Sequence, residues 1–321
     1  MSVDNLYLYT KRNLHLKIEV EYFDKQGTIS NITYNISKLG LIKHMAIAGQ
    51  KYAPKIHKIG KTIGMFFQFS YYLQSNSLKH DKFSLPPDYL CDPTEKGQFS
   101  NIAGKAIADF LAKKIDNAIH TVNYEAAMKI KGMRITGSRP DLLAFTNKST
   151  FAIEAKGFSR SSVNNMTVHK NQSKTGGILV NFTVASVSYN LYNQVKCKYF
   201  DPFNDNIPFD KELFAESTKK YYSGFIDFLE FGDYKLVEYK DEKFYEVDLL
   251  SPYFMDIKHH DICFKHFICD LLRYQIKIIL PKNIEQYAKE GLNTNIEPFL
   301  FDGDKDIYID NDRIGLKLEY I

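Results

Sequence analysis

Two carboxylates and a lysine stand at spacings that could bind a metal ion and a phosphate ester. Asp141 follows a proline at the start of a short apolar run, and a second apolar run ends in Glu154, Ala155 and Lys156. Paired carboxylates can hold a hard divalent cation such as Mg²⁺ together with phosphate oxygens. A lysine beside them can stabilise charge that develops in a transition state. These residue types therefore indicate metal-dependent phosphoryl chemistry.

The same residues are expected on a β-hairpin. The runs Leu142 to Thr146 and Thr150 to Lys156 are apolar and partly β-branched, with three polar residues between them. If the first two polar residues form the turn, the antiparallel register puts Asp141 opposite Glu154. Like charges so placed are destabilising unless a cation lies between them. Because side chains alternate across a strand, Glu154 and Lys156 should share one face.

Pro140-Asp141, a gap and then Glu154-Ala155-Lys156 resemble the signature of the PD-(D/E)XK nuclease superfamily, the fold of many type II restriction endonucleases. The resemblance covers residues 95 to 190. It implies an α/β (α+β) fold, with a restriction-endonuclease-like core whose central mixed sheet is flanked by helices, plus N- and C-terminal extensions. It also implies an endonuclease that hydrolyses DNA phosphodiester bonds with Mg²⁺, for which Mn²⁺ could substitute.

The resemblance implies a role for each residue of the motif. Asp141 and Glu154 would bind the metal with the backbone carbonyl of Ala155, and Lys156 would lie near the attacking water. These residues also have purely structural explanations. An Asp after Pro is often a turn residue, and Glu154 with Lys156 could be an exposed ion pair on an edge strand.

The preceding helix departs from the family pattern. Where the family often carries a further acid, this chain offers Gln98, Ser100 and Asn101. Either an amide such as Asn101 contributes to the metal site, or Glu125 supplies the acid. Glu125 is equally well explained as a surface charge of a strand.

Polar and basic residues after the triplet resemble those that such nucleases place near the substrate. Gln172 is the candidate for a further catalytic contact. The candidates for DNA contacts, against the alternative of a solvated basic face, are Arg139, Arg160, His169, Lys170 and Lys174.

The elements around the motif occur in the order of the superfamily core. Apolar residues at helical spacing predict a helix over Glu95 to Ile115, and Val122 to Ile130 is predicted as a strand. After the hairpin come a polar helical or looped segment, Arg160 to Lys174, and a buried strand, Gly177 to Tyr189. The order helix, strand, strand, strand, helix, strand is the reason the motif is taken as more than a chance match.

The flanks are predicted less specifically, and we divide the chain into 1–94, 95–200 and 201–321. The first part is a basic β and helical region suited to DNA recognition, the second is the nuclease core, and the third is an α+β region for recognition or dimerisation. Within the flanks we predict strands at Leu14 to Phe23 and Ile29 to Ile36, a helical region from Leu39 to Leu73, a linker at Ser84 to Pro93, a helix at Lys211 to Phe231, a hairpin at Tyr234 to Leu250, a helix or long strand at His260 to Ile279, and a hairpin at Ile307 to Leu318.

Charge is distributed unevenly along the chain. The 321 residues are 44% hydrophobic and carry a net charge of +4, but residues 25–79 contain no Asp or Glu, and lysines and arginines far outnumber acids over 96–200. Residues 201–256 reverse the sign. This asymmetry indicates that the first two thirds of the chain face a polyanion such as a nucleic acid.

Two further groups of potential ligands have ordinary explanations. His259, His260, Cys263, His266 and Cys269 cluster, but their spacing of about three fits a packed helix face better than a zinc site. Asp302, Asp304 and Asp306 lack the glycine and the closing glutamate of an EF-hand, so a solvated turn is expected.

Composition favours a protein of the cytoplasm. The four cysteines form no CxxC pair, which fits reduced thiols. The N-terminal residues have no apolar signal-peptide core, and no run is apolar and long enough to span a bilayer. We expect neither a membrane nor a small-molecule cofactor as partner.

The sequence thus predicts an endonuclease of a restriction system that acts on double-stranded DNA, as a homodimer if its recognition site is palindromic. A repair, recombination or phage nuclease on the same fold is the alternative. A non-catalytic nucleic-acid-binding protein, its site weakened by the missing helix acid, is the second alternative.

Overall fold

The structure is a computed structural model with a mixed α/β architecture. It describes residues 15–24, 26–49, 64, 72–85, 92–163, 165–200, 207–230, 233–249, 274–292, 296–303 and 307–320. Five predicted features lie wholly or mostly outside these residues: the helical region Leu39 to Leu73, the linker at Ser84 to Pro93, the element His260 to Ile279, the His259 to Cys269 cluster, and the acids Asp304 and Asp306. In the described part of the chain, no helix is both long and apolar enough to cross a membrane.

A mixed sheet, with seven strands in the described residues, forms the larger half of the fold. Its order is β2-β1-β7-β6-β5-β4-β3; β1 pairs with β7 and β5 with β6 in parallel, and the other pairs are antiparallel. The strands are β1 (His15–Phe23), β2 (Ile29–Ser37), β3 (His120–Asn123), β4 (Leu142–Phe145), β5 (Thr150–Gly157), β6 (Phe182–Tyr189) and β7 (Lys196–Phe200).

Both predicted N-terminal strands are confirmed, and the first shows the alternating burial from which it was predicted. On β1, Leu16, Ile18 and Val20 are buried, as the period of two requires. Because β1 runs parallel to β7, the N-terminal hairpin extends the same sheet that contains the motif. Residue 94 is therefore not a boundary between sheets, and the division of the chain at that point stays a prediction.

Two long helices precede the motif in the chain, and the second of them packs against it. Helix α1 (Lys38–Ile47) begins at Ser37, whose hydroxyl accepts a hydrogen bond from the Gly40 N–H at 3.1 Å. After a single turn, α2 (Ser75–Leu78), comes α3 (Pro93–Ile115), which is capped by Asp92 and confirms the helix predicted from Glu95. Helix α3 packs on β5 and β6, and so lies against the strand that carries Glu154.

The strand predicted over Val122 to Ile130 is wrong for most of its length. β3 ends at Asn123, and α4 (Tyr124–Ile130) follows directly. The Asn123 side chain caps this helix by accepting a hydrogen bond from the Ala126 N–H at 3.3 Å. The predicted order of elements is otherwise confirmed, with α4 inserted.

The predicted hairpin has the predicted register. β4 and β5 pair from Leu142 with Ile153 to Phe145 with Thr150, and the Thr146 N–H donates to the Ser149 carbonyl at 2.9 Å. The pairing ends at Leu142, directly after Asp141, whose own N–H donates to the Ile153 carbonyl at 3.0 Å. β5 lies between β4 and β6, so it is an interior strand.

The chain after the hairpin also follows the predicted order. Helix α5 (Met166–Ser173) lies within the predicted segment Arg160 to Lys174 and packs on β5 and β6. β6 then runs parallel to β5, shorter than the predicted Gly177 to Tyr189.

The C-terminal part forms a second, antiparallel sheet, with six strands among the described residues, in the order β11-β12-β13-β10-β9-β8. Both predicted hairpins are confirmed, and the described end of His260 to Ile279 is a strand. The elements are α6 (Lys211–Ile226), β8 (Tyr234–Tyr239), β9 (Glu242–Asp248), β10 (Tyr274–Pro281), α7 (Ile284–Glu290), β11 (Phe301–Gly303), β12 (Ile307–Ile309) and β13 (Gly315–Tyr320).

A buried charge cluster joins the second sheet to α1 and α3. Lys43 Nζ lies 2.5 Å from Asp310 Oδ1 and 2.7 Å from Asp312 Oδ1, while Lys113 Nζ lies 2.6 Å from Asp312 Oδ2. His44 Nδ1 lies 2.5 Å from Asp109 Oδ2. The six residues of the cluster are almost fully buried. The turn between β12 and β13 is thus held by ionic contacts to helices far away in sequence.

Candidate active site

Both carboxylates of the motif lie within reach of one ammonium group. Lys156 Nζ is 2.5 Å from Glu154 Oε1 and 3.4 Å from Asp141 Oδ2. Glu154 and Lys156 share a face of β5, as alternation predicts, and Asp141 directly precedes β4. The structure therefore brings together the three residues on which the sequence prediction depended.

The backbone fixes the position of Asp141. Its N–H donates to the Ile153 carbonyl at 3.0 Å, and its own carbonyl accepts from the Tyr124 N–H at 3.2 Å. Its side-chain Oδ2 accepts from the Ala155 N–H at 3.2 Å. Asp141 is thus tied to β5 by backbone and side chain together.

Glu154 is buried in the interior of the sheet, with none of its side chain exposed. Among the described residues, no group donates a hydrogen bond to its Oε2 atom. Burial raises the pKa of Glu154 to about 7; Lys156 opposes this shift and Asp141 adds to it. The alternative of an exposed ion pair on an edge strand is therefore wrong. A buried carboxyl oxygen without a donor is costly, and a bound cation would remove that cost.

The Lys156 side chain is a cation in this setting. Burial by itself would lower its pKa, but the hydrogen bond to Glu154 and the charge of Asp141 outweigh burial, so the pKa is raised. An amine with a raised pKa stays protonated at neutral pH and so has no lone pair with which to accept a proton. Lys156 is therefore suited to orienting water or stabilising negative charge rather than to acting as a base.

The Ala155 N–H donates to the side chain of Asp141. In a regular strand, the N–H and C=O of one residue point to the same side, so the Ala155 carbonyl is expected on the side of β5 where Asp141 lies. Its role as a metal ligand beside the two carboxylates stays a prediction. Mg²⁺ needs no more protein ligands than these, because it keeps several waters.

Sequence reasoning missed one residue of this site, Lys105 on α3. Its Nζ lies 2.8 Å from Asp141 Oδ1, on the oxygen that Lys156 does not contact. The spacing could have indicated it, because Lys105 is one helical turn after Asn101, the position considered for an extra ligand. The site therefore has two ammonium groups and two carboxyl groups.

The helix reaches the site through a direct backbone contact. A Cβ atom on Gly157 would lie 1.9 Å from the Ser100 carbonyl oxygen, and one on Gly104 would lie 2.5 Å from the Gly157 nitrogen. Only glycine fits at both positions. This contact fixes where Lys105 begins relative to the end of β5.

The three helix positions considered in place of a further acid differ in exposure and in contacts. Ser100 is buried, and its hydroxyl donates to the Lys96 carbonyl at 2.8 Å. Gln98 and Asn101 are exposed, and their spacing to Lys105 puts all three on one face of α3. That face offers amides and a lysine to the site.

Glu125 lies on α4 and not on a strand. It forms an ion pair with Arg139, whose Nε atom is 3.0 Å from Glu125 Oε1. Arg139 also donates to the Gly137 carbonyl at 2.8 Å. The candidate third acid and one candidate phosphate contact are therefore partners of each other.

One predicted DNA contact is corrected by the structure. Lys170 is only 4% exposed, and its ammonium donates to the carbonyl of Thr183 on β6. It therefore fastens α5 to the sheet and cannot reach a phosphate. The sequence shows only that Lys170 is charged, not that its helix turns it inward.

The other predicted residues after the triplet differ in burial and contacts. Arg160 is exposed and its guanidinium lies 4.2 Å from the centre of the Phe158 ring. His169 packs against the same ring, and burial together with the charges of Lys156 and Arg160 lowers its pKa. Gln172, one turn after His169, is half-buried, and Lys174 is exposed.

The described part of the chain contains no group of three or more His, Cys, Asp or Glu side chains placed to hold a metal ion. A cation in the site would therefore use the two carboxylates, the Ala155 carbonyl and water. Comparison with protein-family models gave no match, and comparisons with curated proteins and with solved structures gave none. What the chain does must therefore be argued from its own residues.

Proposed function

We propose that this chain is a Mg²⁺-dependent endonuclease that hydrolyses DNA phosphodiester bonds, on a restriction-endonuclease-like core of the PD-(D/E)XK type. One observation supports this most: the fully buried carboxylate of Glu154 has an oxygen without a hydrogen-bond donor and lies beside Asp141 and Lys156. A charge in the interior of a sheet is costly unless it has a partner or a purpose.

The residues fit the cation that this function requires. Asp141, Glu154 and the Ala155 carbonyl are oxygen ligands, which Mg²⁺ and Mn²⁺ both accept. When bound, the cation polarises a phosphoryl oxygen and lowers the pKa of a coordinated water. Its charge would also stabilise the ionised form of Glu154, which burial disfavours.

The protein's own groups would then orient and stabilise the reaction. Lys156, charged and held beside Glu154, would direct the attacking water and balance charge on the phosphoryl oxygens. Asp141 cannot move away, because Ala155 and Ile153 hold it through hydrogen bonds. Groups fixed in this way need no reorganisation during the reaction.

Exposed basic groups that follow β5 or lie on a segment attached to the end of its parallel neighbour β6 support a polyanionic substrate. The segment 72–85 is attached to the turn between β6 and β7, since the Phe83 N–H donates to the Leu191 carbonyl at 2.9 Å. Lys79 and His80 on this segment are exposed, as is Arg160 after β5. Lysine and arginine at a nuclease site bind phosphates without regard to sequence.

The restriction-like form of the proposal adds a homodimer on a palindromic site, with flanking regions that read sequence. A repair, recombination or phage nuclease with the same core is the close alternative. A non-catalytic nucleic-acid-binding protein is a second candidate, favoured by Lys105, because its ammonium neutralises the Asp141 carboxylate on which a cation would depend.

Supercoiled plasmid and genomic DNA of varied sequence test the proposal. With Mg²⁺ we expect nicked and linear products, and with EDTA none. Lys156→Ala should lower the cleavage rate about 10²- to 10³-fold, the effect of removing one group that stabilises transition-state charge. The matched control is Lys148→Ala, which removes an exposed lysine from the other end of the same hairpin and should cleave as the wild type does.

Gel electrophoresis of cleavage products and a fluorescence anisotropy assay of DNA binding separate the candidates. Tight binding without metal-dependent cleavage on any substrate would favour the non-catalytic protein. Equal cleavage by Lys156→Ala and the wild type would contradict the assigned site.

A further inference from the structure

We propose that Lys105 is a built-in competitor of the divalent cation: its ammonium occupies the Asp141 carboxylate in the metal-free protein and must leave when the cation binds. The inference rests on the proposed function, because it takes Asp141 as a cation ligand. It gives a role in cation binding to Lys105, a residue outside the sequence motif.

The first step is the distribution of partners on Asp141. Oδ1 contacts Lys105 Nζ at 2.8 Å, whereas Oδ2 accepts the Ala155 N–H at 3.2 Å and lies 3.4 Å from Lys156 Nζ. A cation that binds Asp141 at Oδ1 would therefore meet the Lys105 ammonium at contact distance. Two positive charges so close repel each other, and one of them must move.

The second step is that Lys105 can move and Lys156 cannot do so as easily. The Lys105 side chain is 36% exposed, at the end of a flexible four-carbon stem. Lys156 is held by Glu154 at 2.5 Å as well as by Asp141. The cation is therefore expected to displace Lys105 and leave Lys156 beside Glu154.

The third step is that the helix determines where Lys105 starts. Gly104, its neighbour, contacts the backbone of β5 so closely that a Cβ atom would lie 2.5 Å from the Lys156 carbonyl carbon. Helix α3 is 23 residues long and cannot shift without breaking this contact. The packing of α3 on β5 therefore places Lys105 beside Asp141. A mobile surface ion pair would lack such support.

Charge counting gives the expected consequence. With both lysines charged, the two ionised carboxylates are neutralised, so the site attracts a cation weakly. Removal of the Lys105 charge leaves one net negative charge and frees Oδ1 of Asp141. Lys105→Met should therefore bind a divalent cation about tenfold more tightly, whereas Lys105→Arg keeps the charge and should bind it as the wild type does.

The test is Mn²⁺ binding to the full chain without DNA, followed by the electron paramagnetic resonance signal of free Mn²⁺. Lys148→Met is the matched control, because it removes one charge at the far end of the same hairpin; its affinity should equal that of the wild type. Thermal unfolding in EDTA confirms that each variant is folded. Lys105→Gln replaces Lys105→Met should the latter fail to fold.

The outcomes distinguish this inference from the proposed function. Tighter Mn²⁺ binding by Lys105→Met, with unchanged binding by Lys105→Arg and Lys148→Met, supports the inference. Mn²⁺ binding that is lost in Asp141→Asn but unchanged in Lys105→Met overturns the role of Lys105 and leaves the nuclease proposal in place. No Mn²⁺ binding by the wild type or any variant overturns both.

Discussion

Glu154→Gln is expected to make the metal-free protein more stable at pH 8 by about 3 kcal/mol while lowering DNA cleavage about 10³-fold or more. Burial raises the pKa of Glu154 from 4.5 to about 7, and every tenfold change in proton affinity corresponds to about 1.4 kcal/mol. The loss of activity reflects the several kcal/mol that a bound cation contributes to charge stabilisation. A gain in stability and a loss of activity from one substitution would identify a residue kept for function.

The protonation of Glu154 determines how the free energy of unfolding depends on pH. Between pH 4.5 and about 7, the folded state binds the Glu154 proton more tightly than the unfolded state does. Wild-type stability therefore falls as pH rises through this window, and the full cost is present above pH 7. The advantage of Glu154→Gln should be under about 1 kcal/mol at pH 4.5 and full at pH 8.

Urea unfolding in EDTA at pH 4.5 and pH 8 measures this difference. The matched control is Glu285→Gln, which replaces an exposed acid on α7 and should change stability by less than about 0.5 kcal/mol at either pH. A Glu154→Gln variant that is less stable than the wild type at pH 8 would show that the carboxylate is already satisfied by Lys156.

Asp312→Asn is expected to destabilise the protein by about 3–5 kcal/mol, the cost of breaking a buried ionic network by removing one partner. Asp312 lies 2.7 Å from Lys43 Nζ and 2.6 Å from Lys113 Nζ, and accepts a hydrogen bond from the Tyr221 hydroxyl at 2.8 Å. Its loss leaves two buried ammonium groups to share fewer anions. Urea unfolding at pH 7 measures the effect.

Acid should weaken the same cluster through Asp310. Burial by itself would raise the pKa of Asp310, but Lys113 and Lys43 hold it well below its usual range. The stability that Asp310 contributes is therefore fully present above its unfolded-state pKa of about 4, and it is lost as pH falls from there through the depressed pKa of the folded state. Asp241→Asn, at an exposed turn, is the control. A change of under about 1 kcal/mol for Asp312→Asn would contradict a stabilising cluster.

The hairpin could be predicted because its determinants are local. Two apolar runs and a polar turn between Thr146 and Ser149 fix the register, and alternation then puts Glu154 beside Lys156. Nothing local shows that β5 is an interior strand. Its neighbour β6 begins 25 residues after β5 ends, and only that pairing makes the Glu154 carboxyl fully buried.

The errors also have local and non-local causes. The pattern after Val122 predicts a strand because its residues tolerate both states, and the Asn123 cap decides for a helix. Lys170 is expected on the surface, because lysine side chains are almost never fully buried without a partner. Its partner, the Thr183 carbonyl, is distant enough in sequence that no local pattern predicts it. The charge cluster could not be foreseen, since Lys43 and Asp310 are separated by 267 positions.

Lys105 shows the limit of a motif. The sequence pattern identifies Asp141, Glu154 and Lys156, but which helix residue meets them depends on the backbone contact at Gly104 and Gly157. In the sequence, the only sign of this helix–strand contact is one glycine in each element. Glycine occurs for many other reasons, so the contact could not be predicted from it.

The most direct test of the account is to locate the bound cation on the polypeptide. Fe²⁺ takes the place of Mg²⁺, and hydroxyl radicals generated at the iron by peroxide and ascorbate cut the chain nearby; mass spectrometry then maps the cuts. We predict cuts close to Asp141 and to Glu154 through Lys156, absent from Glu154→Gln and suppressed by excess Mg²⁺. Cuts confined to another part of the chain, or an unchanged pattern in Glu154→Gln, would contradict the account.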